Sequence, residues 1–121
     1  MTTPQADPIE TMVGARTIAV VGASSNPRRA SNDVAKYLIE AGYTVYLVNP
    51  TESEILGWPV YASLRDLPEP VDIVDIFRRA EDVPPVVEDA IAAGAKCVWM
   101  QLEIVNEAAA ARAAEAGLTV V

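Results

Sequence analysis

Short, wholly apolar runs alternate with amphipathic stretches along most of the chain. Thr17 to Val21 is an apolar run ended by Gly22, the pattern of a strand buried on both faces. After the polar stretch 23–29, the segment from Ser31 to Ala41 places Val34, Ala35, Leu38 and Ile39 at helical spacing. Ser31 or Asn32 is its expected cap and Gly42 its stop. Tyr43 to Val48 predicts a second strand, halted by Asn49 and Pro50. The stretch 51–70 is less regular, with Gly57, Trp58 and Pro59, room for a short strand near Val60 and Tyr61, and a helical turn around Leu64 to Leu67. Val71 to Phe77 predicts a strand. Glu81 to Ala93 predicts a helix with Pro84 and Pro85 in its first turn, where proline is tolerated, and Gly94 ends it. Lys96 to Met100 predicts a fourth strand, Asn106 to Ala116 an alanine-rich helix stopped by Gly117, and Leu118 to Val121 a fifth strand.

Five strands separated by helices predict the α/β class. The expected architecture is a single Rossmann-like domain, a five-stranded parallel sheet with right-handed crossovers and helices on both faces. The domain is expected over 16–121, preceded by a polar leader over 1–15 with room for a short helix. A length of 121 residues suits one domain closing one core. No apolar run approaches the ~20 residues of a membrane span, and Met1 to Pro8 lacks the basic-then-apolar pattern of a secretory signal. The single cysteine, Cys97, has no partner for an internal disulfide, which fits a cytoplasmic protein. A net charge of -8 argues against a nucleic-acid partner, because phosphate backbones are bound by clustered Lys and Arg. The basic residues are nonetheless unevenly placed. Arg28-Arg29 and Arg78-Arg79 form adjacent pairs, each just beyond a predicted strand.

In such sheets, ligands bind beyond the carboxyl ends of the strands. Those ends carry Gly22, Ala23, Ser24, Ser25, Asn26 and Pro27, then Val48, Asn49 and Pro50, then Phe77, Arg78 and Arg79, and last Met100 to Glu103. The first is a small-residue strand-to-helix loop whose N–H groups and following helix favour a phosphate. An ordinary tight turn has the same composition. The dinucleotide fingerprint is incomplete, since Ser24 and Pro27 stand where its second and third glycines belong. The acidic residue that would hold a ribose is replaced by Asn49-Pro50. Glu52 is near, but beyond a proline expected to redirect the chain. NAD therefore ranks low, while NADP stays open through Arg28 or Arg29. The arginine pairs suit bidentate phosphate contacts, or else they pair with Asp33, Glu81 or Asp82. No catalytic constellation and no metal site is expected. Histidine is absent, Cys97 sits inside an apolar strand, Ser24 and Ser25 have no neighbouring base, and Asp72 and Asp75 face opposite sides of a strand.

Taken together, Ala19 to Ser24, Arg29 to Ser31, Val48 to Pro50, Val74 to Arg78, Val98 to Leu102 and Gly117 to Val121 resemble the small stand-alone CoA-binding proteins. These are similar to the CoA-binding domain of succinyl-CoA synthetase α subunits and of ADP-forming acyl-CoA synthetases. The resemblance runs from Thr17 onward and implies coenzyme A, or an acyl-CoA, as the small-molecule ligand of a non-catalytic carrier, sensor or accessory domain. It implies that Gly22, Ala23, Ser24 and Ser25, in the loop that Asn26 continues, receive the pyrophosphate, with Arg29 and Ser31 near the phosphates. Val48, Asn49 and Pro50 would line the adenosine side, Phe77, Arg78 and Val83 would flank the nucleotide, and Gln101 and Leu102 would approach the pantetheine arm. Two departures lie at the thiol end: Glu103 stands where the family has glycine, and the chain stops at Val121 where members continue with Met-Asp-Arg-Cys. The competing readings are a nicotinamide-dependent oxidoreductase-like domain and a scaffold domain that has lost its ligand. A monomer or weak homodimer is expected, the latter through apolar surface at Trp58 to Val60 or at Trp99, positions that suit a core role equally well.

Overall fold

A computed structural model describes residues 15–100 and 106–121. The chain forms β1 (Thr17–Val21), α1 (Ala30–Glu40), β2 (Thr44–Val48), β3 (Glu54–Ile55), β4 (Trp58–Tyr61), β5 (Ile73–Ile76), α2 (Val83–Ala92), β6 (Cys97–Met100), α3 (Glu107–Glu115) and β7 (Thr119–Val120). Single 3₁₀ turns occupy Leu64–Asp66 and Ala80–Asp82. The sheet runs in the order β3-β4-β2-β1-β5-β6-β7. Every pairing is parallel except that of β3 with β4. The leader expected over 1–15 lies, up to residue 14, outside the described residues.

The α/β class and the Rossmann-like single domain stand, but the sheet has seven strands, not five. Both extra strands come from the irregular stretch. Leu56 and Gly57, with φ of 55° and 81°, make a tight turn of positive-φ residues that matches the twist of the hairpin it joins. Strand β4 then lies parallel to β2, pairing Leu47 with Val60 and Val48 with Tyr61. Trp58 is 49% exposed on this edge, and Trp99 is half-buried.

The apolar runs follow from burial on both faces. Ile18, Val20, Leu47, Ile73 and Cys97 meet Ala35 and Leu38 of α1 on one side of the sheet. Ala19, Val21, Val74, Ile76 and Val98 meet Val83, Val87 and Ala90 of α2 and Ala109 and Ala113 of α3 on the other. Each such Val, Ile or Leu contributes roughly 1.5–3 kcal/mol by leaving water. The chain builds outward from β1 through β2 to β4, then returns to β1's other side with β5. The carboxyl ends of β1 and β5 are thus the switch point of the sheet, where ligands enter such folds. No helix among the described residues is long and apolar enough to cross a membrane.

The helix starts differ in one respect from expectation. Asn106 caps α3 by accepting from the Ala109 N–H at 3.0 Å. For α1 the N-cap is Arg29, with no side-chain bond, while Ser31 and Asn32 are buried inside the first turn. The Asn32 amide instead donates to the Ser24 carbonyl at 2.8 Å, holding the preceding loop rather than its own helix.

The amino ends of three strands meet at Asp72. Its carboxylate accepts from the Arg16 and Thr17 N–H groups at 2.7 and 3.2 Å and lies 3.4 Å from the Lys96 ammonium. Its own carbonyl accepts from the N–H groups of Lys96 and Cys97. The backbone bond from Arg16, with smaller contributions from Thr17 and Lys96, outweighs burial and holds the Asp72 carboxyl below its usual range. A carboxyl lowered by folding stabilises the native state above the unfolded-state pKa, and loses that contribution as pH falls through the folded one. Asp72→Asn is therefore expected to lose about 1 kcal/mol at pH 7 in urea unfolding, with the gap to wild type closing towards pH 3. An equal loss at both pH values would show that charge is not the cause.

Candidate functional site

Where β1 ends, the chain passes so close to the end of β5 that no side chain fits. A Cβ built on Gly22 would lie 2.3 Å from the Phe77 carbonyl oxygen, and its φ of +88° is itself a glycine conformation. The Phe77 N–H donates to Val21 at 2.8 Å on one side. On the other, the N–H groups of Gly22 and Ala23 both donate to the Val48 carbonyl, at 3.0 and 3.3 Å. The three strand ends are thereby fixed relative to one another.

The loop after Gly22 is folded by its own polar side chains. Ser24 Oγ accepts from the Asn26 N–H at 3.0 Å, and Asn26 Oδ1 accepts from the Arg28 N–H at 2.9 Å. Two asparagine amides take the loop carbonyls, Asn49 that of Ala23 and Asn32 that of Ser24, each at 2.8 Å. With these two carbonyls occupied, the loop leads into α1, where the Asn32 and Asp33 N–H groups donate to the Arg29 carbonyl at 3.0 and 3.5 Å and the N–H groups of Ala30 and Ser31 precede the first bond of the helix. Ala30 and Ser31, at that helix start, line the crevice.

The crevice has two compartments. The polar one, about 440 Å³, is lined by Gly22, Ala23, Ser24, Arg29, Ser31, Asn49, Phe77 and Arg78 among the expected residues. The second, about 160 Å³, is mainly apolar, with Val21, Val48, Pro50, Ala62, Leu64 and Val86 in its walls. Gly22 and Arg78 belong to both. The Arg78 stem crosses over Gly22, its Cδ 3.2 Å from where a Cβ would stand.

Of the remaining expected residues, Ser25 and Asn26 are in the loop but outside both linings. Val83 is fully buried in the core at the start of α2. Gln101, Leu102 and Glu103 lie outside the described residues. The arginine pairs divide. Arg79 is 3.3 Å from Asp82 and 3.7 Å from Glu81, as the surface-pairing alternative expects. Arg29 and Arg78 line the crevice and make no ion pair among the described residues, and Arg28 is exposed outside it.

Glu52 corrects the sequence reading. Pro50 does not carry it away, because Asn49 Oδ1 accepts from both the Thr51 N–H and hydroxyl, at 2.7 and 2.8 Å, and turns the chain back. Glu52 therefore lines the polar compartment, and its carboxylate accepts from the Ser25 N–H at 3.3 Å. The signal was the Asn-Pro-Thr order, which suits an Asx turn. Ala62, Leu64 and Val86 carried no signal, since they are ordinary core-type residues brought to the crevice by β4, the 3₁₀ turn and α2.

Among the described residues, the polar compartment holds the hydroxyls of Ser24 and Ser31 in its walls, and neither compartment holds a cysteine. Cys97 is fully buried in β6, and burial, reinforced by the Asp75 charge, pushes its thiol up to about 11. Asp72 is engaged at the amino ends of the strands and Asp75 is buried in β5. Among the described residues, no group of three or more His, Cys, Asp or Glu could hold a metal ion.

A family model described as a CoA binding domain matches residues 16–121. An uncharacterized protein of Bacillus subtilis (strain 168), YneT, is 41% identical over 112 residues, 93% of this chain and 83% of that protein. A solved structure of a hypothetical protein from Pyrococcus horikoshii OT3 superimposes with a TM-score of 0.88 at 45% identity, covering 94% of this chain and 79% of the other. ADP-forming acetate–CoA ligase I of Archaeoglobus fulgidus is 42% identical over 74 residues, 61% of this chain and 11% of the ligase. The chain thus spans a small fraction of the ligase, and most of two proteins near its own size.

Gly22→Ala is expected to destabilise the protein by about 2–4 kcal/mol in urea unfolding, through backbone strain and overlap with Phe77. Cys97 is expected to react with iodoacetamide at pH 8 on the order of 100-fold more slowly in the native protein than in urea. Comparable rates would place its thiol in contact with solvent.

Proposed function

The chain belongs to the CoA-binding domain family, and from that premise we propose that its crevice binds coenzyme A or an acyl-CoA without catalysing a reaction on it. One observation carries this reading most: a polar compartment of about 440 Å³ and a smaller, mainly apolar slot lie side by side, with Gly22 and Arg78 in the walls of both. Coenzyme A has a matching division, with a pyrophosphate and a 3′-phosphate on one part and a flat, apolar-faced adenine on another.

In this reading the pyrophosphate meets the Gly22–Ser25 loop, the Ser31 end of α1 and Arg29. The adenine enters the slot between Val48, Pro50 and Leu64. Arg78, standing between the compartments, meets a phosphate of the nucleotide and covers the base with its stem. The pantetheine arm runs toward Gln101 and Leu102. The binding unit extends over 16–121, with 1–15 as a leader outside it. The buried thiol and the absence of histidine support a carrier, sensor or accessory role over catalysis. The same domain family occurs in ADP-forming acetate–CoA ligases, where it forms one part of a much longer protein.

Calorimetric titration tests the proposal. CoA is expected to bind more tightly than dephospho-CoA and than NAD. Arg78→Ala is expected to weaken CoA about 10-fold or more, as loss of a charge-assisted hydrogen bond does, and Arg79→Ala to leave it unchanged. No heat and no thermal shift with millimolar CoA would overturn the assignment. Tighter binding of NAD would move it to a nicotinamide dinucleotide.

A further inference from the structure

The Ser25 N–H, one of the loop donors that a phosphate would use, is already engaged by the Glu52 carboxylate at 3.3 Å. That carboxylate is not a stray surface group. The Asn49–Thr51 turn directs the chain at Glu52 back toward the loop. Glu52 is half-buried in the wall of the polar compartment and makes no ion pair among the described residues. Arg29 and Arg78 in the same compartment therefore keep their charge for a ligand, while one backbone donor is held by an internal anion.

We propose that Glu52 is a specificity-determining residue that competes with phosphate for the Ser25 N–H. It raises the threshold for entry, so that a ligand must bring more than one anionic group or a base to displace it. A phosphate oxygen and a carboxylate oxygen cannot share that donor, and two anions this close repel. A free anion gains only the loop and the arginines on entering. A nucleotide carrying a pyrophosphate gains those contacts and fills the apolar slot as well. Free pyrophosphate also concentrates more negative charge at the loop than the doubly esterified pyrophosphate of a nucleotide, so Glu52 repels it more and thereby favours a whole nucleotide over a small anion. Both the use of this loop by a phosphate and the choice of CoA as probe rest on the proposed function.

The test compares wild type with Glu52→Gln and Glu52→Ala, titrating each with CoA and with inorganic pyrophosphate at low and high salt. Glutamine keeps an acceptor for the Ser25 N–H and removes the charge. Both variants are expected to bind both probes about threefold to tenfold more tightly, the larger gain falling on pyrophosphate. The advantage is expected to shrink as salt rises, which a purely structural effect would not do. If wild type binds CoA and Glu52→Gln binds it no better, this proposal fails while the CoA assignment stands. Tightening in the alanine variant alone also overturns it, since the effect would then be steric. If CoA binds neither protein but pyrophosphate tightens in Glu52→Gln, the competition stands and the CoA assignment falls. Binding of neither probe by any of the three proteins overturns both.

Discussion

Two backbones, Gly22 at the end of β1 and Phe77 at the end of β5, approach each other so closely that a Cβ has no room between them. Much of the crevice follows from that contact. It brings the first loop beside Arg78, makes the polar and apolar compartments share a wall, and places the start of α1 over the opening. The adjacent bonds from Gly22 and Ala23 to Val48 extend the constraint to β2. A binding site of this kind needs few specialised side chains, because most of its geometry is backbone.

Consecutive residues in extended chain point to opposite sides. An arginine pair at a strand end therefore does not present two guanidinium groups to one ligand. Arg78 turns over Gly22, and Arg79 turns out to Glu81 and Asp82. Arg29 lines the crevice while Arg28 stays outside it. The doubling that drew attention in the sequence thus reduces to one cation from each pair.

The strands of the central sheet were legible because burial on both faces leaves an uninterrupted apolar run, as in Thr17 to Val21. Strand β4 was legible only as a short strand near Val60 and Tyr61, because it contains Pro59, and β3 was not legible, since it is two residues long and Leu56 at positive φ is not a turn residue by type. Gly22, Asn49 and Arg78 were legible from their position at strand ends. Glu52 was misread because its place depends on a side-chain turn at Asn49, which a proline-based rule overlooks. Ser31 and Asn32 looked like caps and proved to be buried, and the Asn32 side chain bonds the loop carbonyl eight residues earlier in place of its own helix. Val86 and Leu64 reach the crevice only through tertiary folding, which no local pattern encodes.

The Asp72 contacts gather the starts of β1, β5 and β6 at one end of the sheet, while the crevice occupies the opposite end. The two ends share strands but few side chains, so changes in the carboxyl-edge loops leave the anchor untouched. Such a layout is evolutionarily permissive: a lineage can rewrite what the loops recognise, or splice the whole unit into a longer polypeptide, without first rebuilding what keeps it folded.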